Sequence, residues 1–191
     1  MKQTTKEHIL EEGIALFRQH GYHGTSINMV LSACGVPKGS FYYYFESKED
    51  FALAAVDRYA ETYLNLLRDI GQQPLPPVKK ITTFFAQLIK FYSAQHHKLT
   101  CLMSILSLDV GSENPVLRQR IETHFSAMKT ELAAIIRQAQ KYDRLPKGVE
   151  AQTLAEFLIN SFNGALISMK YQQSDRPLKD FQITIAKLIA S

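Results

Sequence analysis

Apolar residues recur three and four positions apart along almost the whole chain, the spacing that lines one face of an α-helix, and no segment reads as a convincing strand. The first stretch runs from about Lys2 to His20, with Leu10, Ile14 and Phe17 on one face and Gly21 as its stop. Thr25 is placed to N-cap a short second helix striped by Ile27, Val30 and Leu31. Gly35 breaks that helix, and Pro37 suits the first position of a third, where a missing N–H costs nothing. Ser47 to Asp50 has capping-box spacing for a fourth helix reaching about Ile70. Two short helices joined by a tight Gly-containing turn make a helix-turn-helix, whose second helix enters the DNA major groove.

The segment from Gly71 to Pro77, GQQPLPP, is the strongest break, a stiff linker. Beyond it, a fifth helix is expected from about Val78 to His96, striped by Ile81, Phe84, Phe85, Leu88, Ile89 and Tyr92. A sixth covers about Thr100 to Val110 and ends at Gly111. Asn114 caps a seventh, with Pro115 at its first position, continuing to about Tyr142. Leu145 to Gly148 forms the next loop. The eighth runs from about Glu150 to Gln172 and the ninth from about Leu178 to Ala190. Leu154, Phe157, Leu158, Ile159, Phe162, Ala165, Leu166, Ile167 and Met169 leave the eighth helix little polar face. A helix apolar all round is buried on all sides. A second copy of the chain is the simplest cover, giving a homodimer through helices eight and nine, with Leu178, Phe181, Ile185 and Leu188 in the interface.

The third helix concentrates the chemistry. Lys38, Gly39, Ser40, Phe41, Tyr42, Tyr43, Tyr44 and Phe45 fit within about two turns. Successive residues point roughly 100° apart, so Phe41 and Phe45 share a face and belong to the core. Tyr42 and Tyr43 then offer hydroxyls to phosphates or base edges. Gly39 lets a backbone come close to DNA, and Lys38 brings charge.

Charge alone would not single out this segment. The chain carries a net +4, yet residues 1–50 hold Lys2, Lys6, Arg18, Lys38 and Lys48 against six carboxylates. DNA contacts are therefore expected to lean on hydroxyls and backbone N–H groups. Two cysteines, Cys34 and Cys101, exclude a disulfide framework. With no membrane-length apolar run and no signal-peptide core, a cytoplasmic location is expected. No Gly-rich phosphate loop, nucleophile elbow or zinc-protease motif is present, so no enzyme and no cofactor are expected. His96, His97, Cys101 and His124 invite a metal reading, but adjacent helical histidines diverge and no carboxylate lies at ligand spacing. No metal site is expected. Phe84, Phe85, Phe91, Tyr92, Met103, Phe125, Met128, Phe162 and Met169 divide between a packed core and an apolar ligand pocket in a proportion the spacing leaves open.

The stretch GVPKGSFYYYFESKEDF resembles the DNA-binding signature of the TetR family of bacterial transcriptional regulators, matching at Gly35, Val36, Lys38, Gly39, Ser40, Phe41, Tyr42, Tyr44, Phe45, Lys48 and Glu49. Thr25, Ser26 and Ile27 fit the same pattern upstream. Pro37 stands where a Ser or Thr is usual, Met29 where an Asp is common and Leu31 where an Ala is common. The resemblance implies an all-α, nine-helix protein with a helix-turn-helix domain over 1–48 (motif about 25–44) and a ligand-binding and dimerisation domain over 49–191. It implies a DNA-facing set of Thr25, Ser26, Pro37, Lys38, Gly39, Ser40, Tyr42, Tyr43 and Lys48, bound as a homodimer to a palindromic double-stranded operator. A metal-responsive regulator and a helical enzyme or interaction module are the competing readings.

A second, narrower resemblance lies in CLMSILSLDVGSENPVLRQRI, which is similar to repressors that respond to electrophiles such as N-ethylmaleimide and aldehydes. It implies a sensor cysteine at Cys101 and a partner lysine at Lys170. Cys101 opens the sixth helix, where the dipole favours a thiolate. The effector is thus expected to be a small molecule or an electrophile, acting through the sixth and fourth helices on the spacing of the recognition helices. An inert cysteine in a pocket wall is the other reading.

Overall fold

The computed structural model describes residues 4–142, 145 and 148–190. Lys2, the expected start of the first helix, lies outside the described residues, as do Pro146 and Lys147 of the expected loop. The described residues form nine α-helices and no strand: α1 (Thr5–Gly24), α2 (Ile27–Cys34), α3 (Lys38–Tyr44), α4 (Lys48–Gln72), α5 (Pro77–Ser93), α6 (Leu102–Val110), α7 (Pro115–Lys141), α8 (Ala151–Gln172) and α9 (Arg176–Ala190). The all-α expectation holds.

Local chemistry explains most helix ends. Thr4 and Glu7 form a capping box at α1: Thr4 Oγ1 accepts the Glu7 N–H at 3.3 Å, and Glu7 Oε2 accepts the Thr4 N–H at 2.9 Å. The Thr4 N–H, and after it the Thr4 hydroxyl, which donates to the same oxygen at 3.0 Å, hold the Glu7 carboxyl below the usual carboxylate range. At α4, Ser47 Oγ accepts the Asp50 N–H at 3.0 Å, but the Asp50 carboxylate reaches back to Glu46 rather than Ser47, also at 3.0 Å. Asn114 caps α7 through Oδ1 and the Leu117 N–H, 2.8 Å apart, with Pro115 following as expected.

The chain divides into two compact units, residues 1–61 with 101–124, and residues 62–100 with 125–191. In the first, Phe17, Phe41, Phe45 and Phe51 pack as one aromatic cluster, with ring centroids 5.0–5.6 Å apart. Gly13 makes room for it, since a Cβ there would sit 2.0 Å from the Phe51 ring. α6 belongs to this unit and buries Leu102, Met103, Leu106 and Val110. In the second unit, Phe85, Tyr92, Phe162 and Phe181 form another cluster. Phe162 is therefore buried within the chain, and so are Leu178 and Ile185, which corrects the expectation that the latter two lie in a dimer interface. The apolar pattern of α8 has two faces: Ala155, Leu158, Ile159, Phe162, Leu166 and Met169 point inward, while Phe157, Ile167 and Tyr171 are exposed.

Candidate nucleic-acid interface

Ser26, not Thr25, caps α2: its Oγ accepts the Met29 N–H at 3.2 Å. Thr25 is the C-terminal cap of α1, fully buried, and its hydroxyl donates to the Gly21 carbonyl at 2.7 Å. The capping expectation for Thr25 is thus off by one residue. The two neighbouring hydroxyls have separate tasks, one closing α1 and one opening α2, which the pattern of polar residues does not distinguish. Thr25 points inward and is left out of the DNA-facing set below.

Gly35 ends α2 in the left-handed region, with φ 64° and ψ 29°, where a side chain would be strained. Its φ turns the chain sharply into Val36 and Pro37. Pro37 stands at the N-cap of α3 rather than its first helical position, with extended backbone, and its carbonyl accepts the Ser40 N–H at 2.9 Å. The ring cannot cap α3, whereas a Ser or Thr hydroxyl could.

α3 sorts its aromatics as the helical spacing predicts. Phe41 and Phe45 are buried, while Tyr42 is 48% and Tyr43 81% exposed. Lys38 and Gly39 are exposed beside them, and Ser40 is half-buried. The Lys38 ammonium lies 5.7 Å from the Tyr42 ring centroid, within reach of a cation–π contact. A Cβ built on Gly39 would meet nothing within 4 Å. Nothing inside the chain therefore requires glycine there, which fits a requirement set by an outside surface.

Lys48 opens α4 with its ammonium 4.4 Å from the Tyr22 ring centroid. Burial pushes the Lys48 ammonium down and the Tyr22 phenol up from their ordinary values, and Glu49 adds to the latter. The pattern gave no sign of Lys6, whose ammonium lies 5.6 Å from the Phe45 ring. An N-terminal lysine reads as a solvated charge until the fold brings α1 beside α3.

Residues 9–55 match the model of a family described as bacterial regulatory proteins, tetR family, and residues 77–185 match a tetracyclin repressor-like C-terminal domain. The chain belongs to the TetR family. It is 28% identical over 177 residues to the HTH-type transcriptional repressor DhaR of Mycobacterium sp. (strain GP1), covering 92% of this chain and 87% of that protein. It is 27% identical over 189 residues to the HTH-type transcriptional repressor NemR of Escherichia coli (strain K12), covering 98% and 94%. The reduced form of E. coli NemR superposes with a TM-score of 0.87 over 97% of each chain. A regulatory protein TetR from Rhodobacter sphaeroides, 24% identical, shares the fold with a TM-score of 0.91 over 97% of this chain and 99% of its own. This TetR-family chain is accordingly a DNA-binding transcriptional regulator.

Its effector candidates fall in different compact units. Cys101 is buried and stands at the N-cap of α6, making no side-chain cap bond. Lys170 lies exposed in the last turn of α8. A cavity of about 350 Å³ in the second unit is lined, among the described residues, by Ile81, Ile136, Leu145, Val149, Leu154, Phe157, Leu158 and Leu188 with one polar residue, Thr153, and not by Cys101 or Lys170. His97 Nε2 lies 3.1 Å from Asp175 Oδ1, and His124 Nε2 lies 2.6 Å from Asp57 Oδ1. Among the described residues no three His, Cys, Asp or Glu side chains group as metal ligands, and no helix is long and apolar enough to cross a membrane.

Proposed function

We propose that this regulator is a cytoplasmic repressor, without enzymatic activity, that binds a palindromic operator as a homodimer and releases it when an electrophile modifies Cys101. Residues 1–48 carry the DNA-reading work and residues 49–191 the effector and dimerisation work. The observation that carries the DNA reading is the two-sided character of α3. Phe41 and Phe45 anchor it, leaving Lys38, Gly39, Ser40, Tyr42 and Tyr43 for the groove, with Ser26, Pro37 and Lys48 beside the phosphates. Selection from genomic fragments tests this: one palindromic site bound by two chains is expected, and no enrichment of any sequence contradicts it.

Dimerisation is supported by a stripe at helical spacing on α8, comprising Phe157, Asn160, Gly164, Ile167 and Tyr171, all exposed. Gly164 has nothing within 4 Å of a built Cβ, leaving room for a facing helix. Ile183 and Leu188 of α9 are also exposed at 53% and 46%. Two-fold symmetry matches a palindrome.

The sensor reading rests on Cys101 at the start of α6 and on the likeness to NemR, one of whose solved forms is described as reduced. Its burial selects small uncharged electrophiles. With N-ethylmaleimide, the sulfur adds across the ring double bond and the adjacent carbon takes a proton from solvent. Lys170, matched by sequence spacing, would support the modified state. Limiting electrophile, adduct mapping by mass spectrometry and operator release form the test. An adduct on Cys101 and a release-resistant Cys101→Ser protein are expected. If Cys101 stays unmodified, or Cys101→Ser is released like wild type, the apolar cavity beside Thr153 becomes the effector site.

A further inference from the structure

The last turn of α6 carries Asp109, where the helix dipole disfavours a carboxylate. Helix stability therefore does not account for this residue, but its contact does. Asp109 Oδ2 accepts the Tyr22 N–H at 2.7 Å. That N–H is available because Gly21 breaks α1 with φ 73° and ψ −176°, turning Tyr22 out of the helical ladder. The fit is close, since a Cβ on Gly21 would lie 2.0 Å from the same oxygen. The Tyr22 ring stacks on Phe17, with 6.0 Å between centroids and 10° between planes, and it carries the Lys48 ammonium. Five residues beyond Asp109, Asn114 donates its amide to Glu49, the neighbour of Lys48, while capping α7 with its oxygen. The corner between α6 and α7 thus holds both Tyr22, on whose ring the Lys48 ammonium rests, and Glu49, the residue after Lys48.

We propose that Asp109, through Tyr22, is a positioning residue for Lys48, and that the α6–α7 corner is the point from which α6 controls a phosphate contact. The inference rests on the reading of Lys48 as a phosphate-binding residue. A rise of the corner from Tyr22 and Glu49 would free Lys48 to point elsewhere without disturbing the base-reading face of α3. The helix that begins at Cys101 would then act on DNA through its far end.

The test is operator affinity as a function of salt for wild type, Asp109→Ala, Lys48→Ala and the double variant. Each phosphate contact adds about 0.9 to the salt slope per subunit. Losing one makes affinity fall about 3.5-fold less per subunit between roughly 50 and 200 mM salt. Asp109→Ala is expected to flatten the slope by up to that amount, Lys48→Ala by that amount, and the double variant no further than Lys48→Ala alone. Asp109→Asn, which keeps an acceptor oxygen for the Tyr22 N–H, should bind like wild type. A merely structural role would reduce the active fraction and leave the slope unchanged, so an unchanged slope in Asp109→Ala overturns the inference, as does additivity with Lys48→Ala. If Asp109→Ala does not fold, Asn114→Asp keeps the α7 cap and sets a carboxylate against Glu49. It should flatten the slope in the same way, and an unchanged slope there is equally fatal. An unchanged slope in Lys48→Ala instead overturns the DNA assignment of Lys48, and the inference falls with it.

Discussion

Phe41 and Tyr43 stand two positions apart on α3 and meet opposite surroundings, one fully buried and the other 81% exposed. Phe41→Ala should cost about 3–5 kcal/mol of stability, the usual range for emptying an aromatic core site. Tyr43→Ala should leave the urea midpoint almost unchanged and weaken operator binding. Equal losses of stability for the two would mean that α3 is packed on both sides. Gly39 offers a sharper contrast. A methyl group there meets nothing in the chain, and alanine is the better helix former by up to about 1 kcal/mol. Gly39→Ala should therefore melt no lower than wild type yet bind the operator more weakly. Unimpaired binding would show that DNA does not approach Gly39 closely. Which aromatics of α3 are buried was legible because α3 is short and its spacing dictates which of them share a face. Thr25 and Ser26 were less so: both are capping residues, and only the left-handed turn at Gly21 decides which helix each serves.

At the scale of elements, the spacing of apolar residues located all nine described helices, with shifts of a few residues at their ends. The shifts have physical causes. The start of α1 is set by the reciprocal bonds of Thr4 and Glu7, which read as ordinary surface residues. α5 ends at Ser93, short of the expected His96, and the turn that follows puts His96 and His97 in left-handed backbone, φ 50° and 61°, which no glycine announces. α8 shows where the pattern fails altogether. When every face is apolar, spacing cannot say which residues meet the chain's own core, and Phe162 proved to be inside. The consequence separates two substitutions. Phe162→Glu should yield insoluble protein, because the charge would enter the cluster of Phe85, Tyr92 and Phe181. Ile167→Glu should yield folded monomers, because the charge would enter the outward stripe. Light scattering of the purified variants checks both, and a dimeric Ile167→Glu protein would move the interface elsewhere.

For the whole molecule, the proposed function makes DNA reading a property of one face of one short helix, and everything else a means of aiming or withdrawing it. The placing of α6 in the same compact unit as α1 to α3 gives that control a physical route from Cys101 to Tyr22. The most direct measurement is the affinity of a selected operator for Lys38→Ala/Tyr42→Phe protein, taken beside its melting temperature and its mass in solution. Removing a charge and one hydroxyl bonded to a charged acceptor should cost at least about 1.5–3 kcal/mol, a loss of about ten- to 150-fold. That loss is expected with melting temperature and dimer mass unchanged. Wild-type operator affinity in this variant would contradict it, because the face of α3 assigned to DNA would then not be touching it.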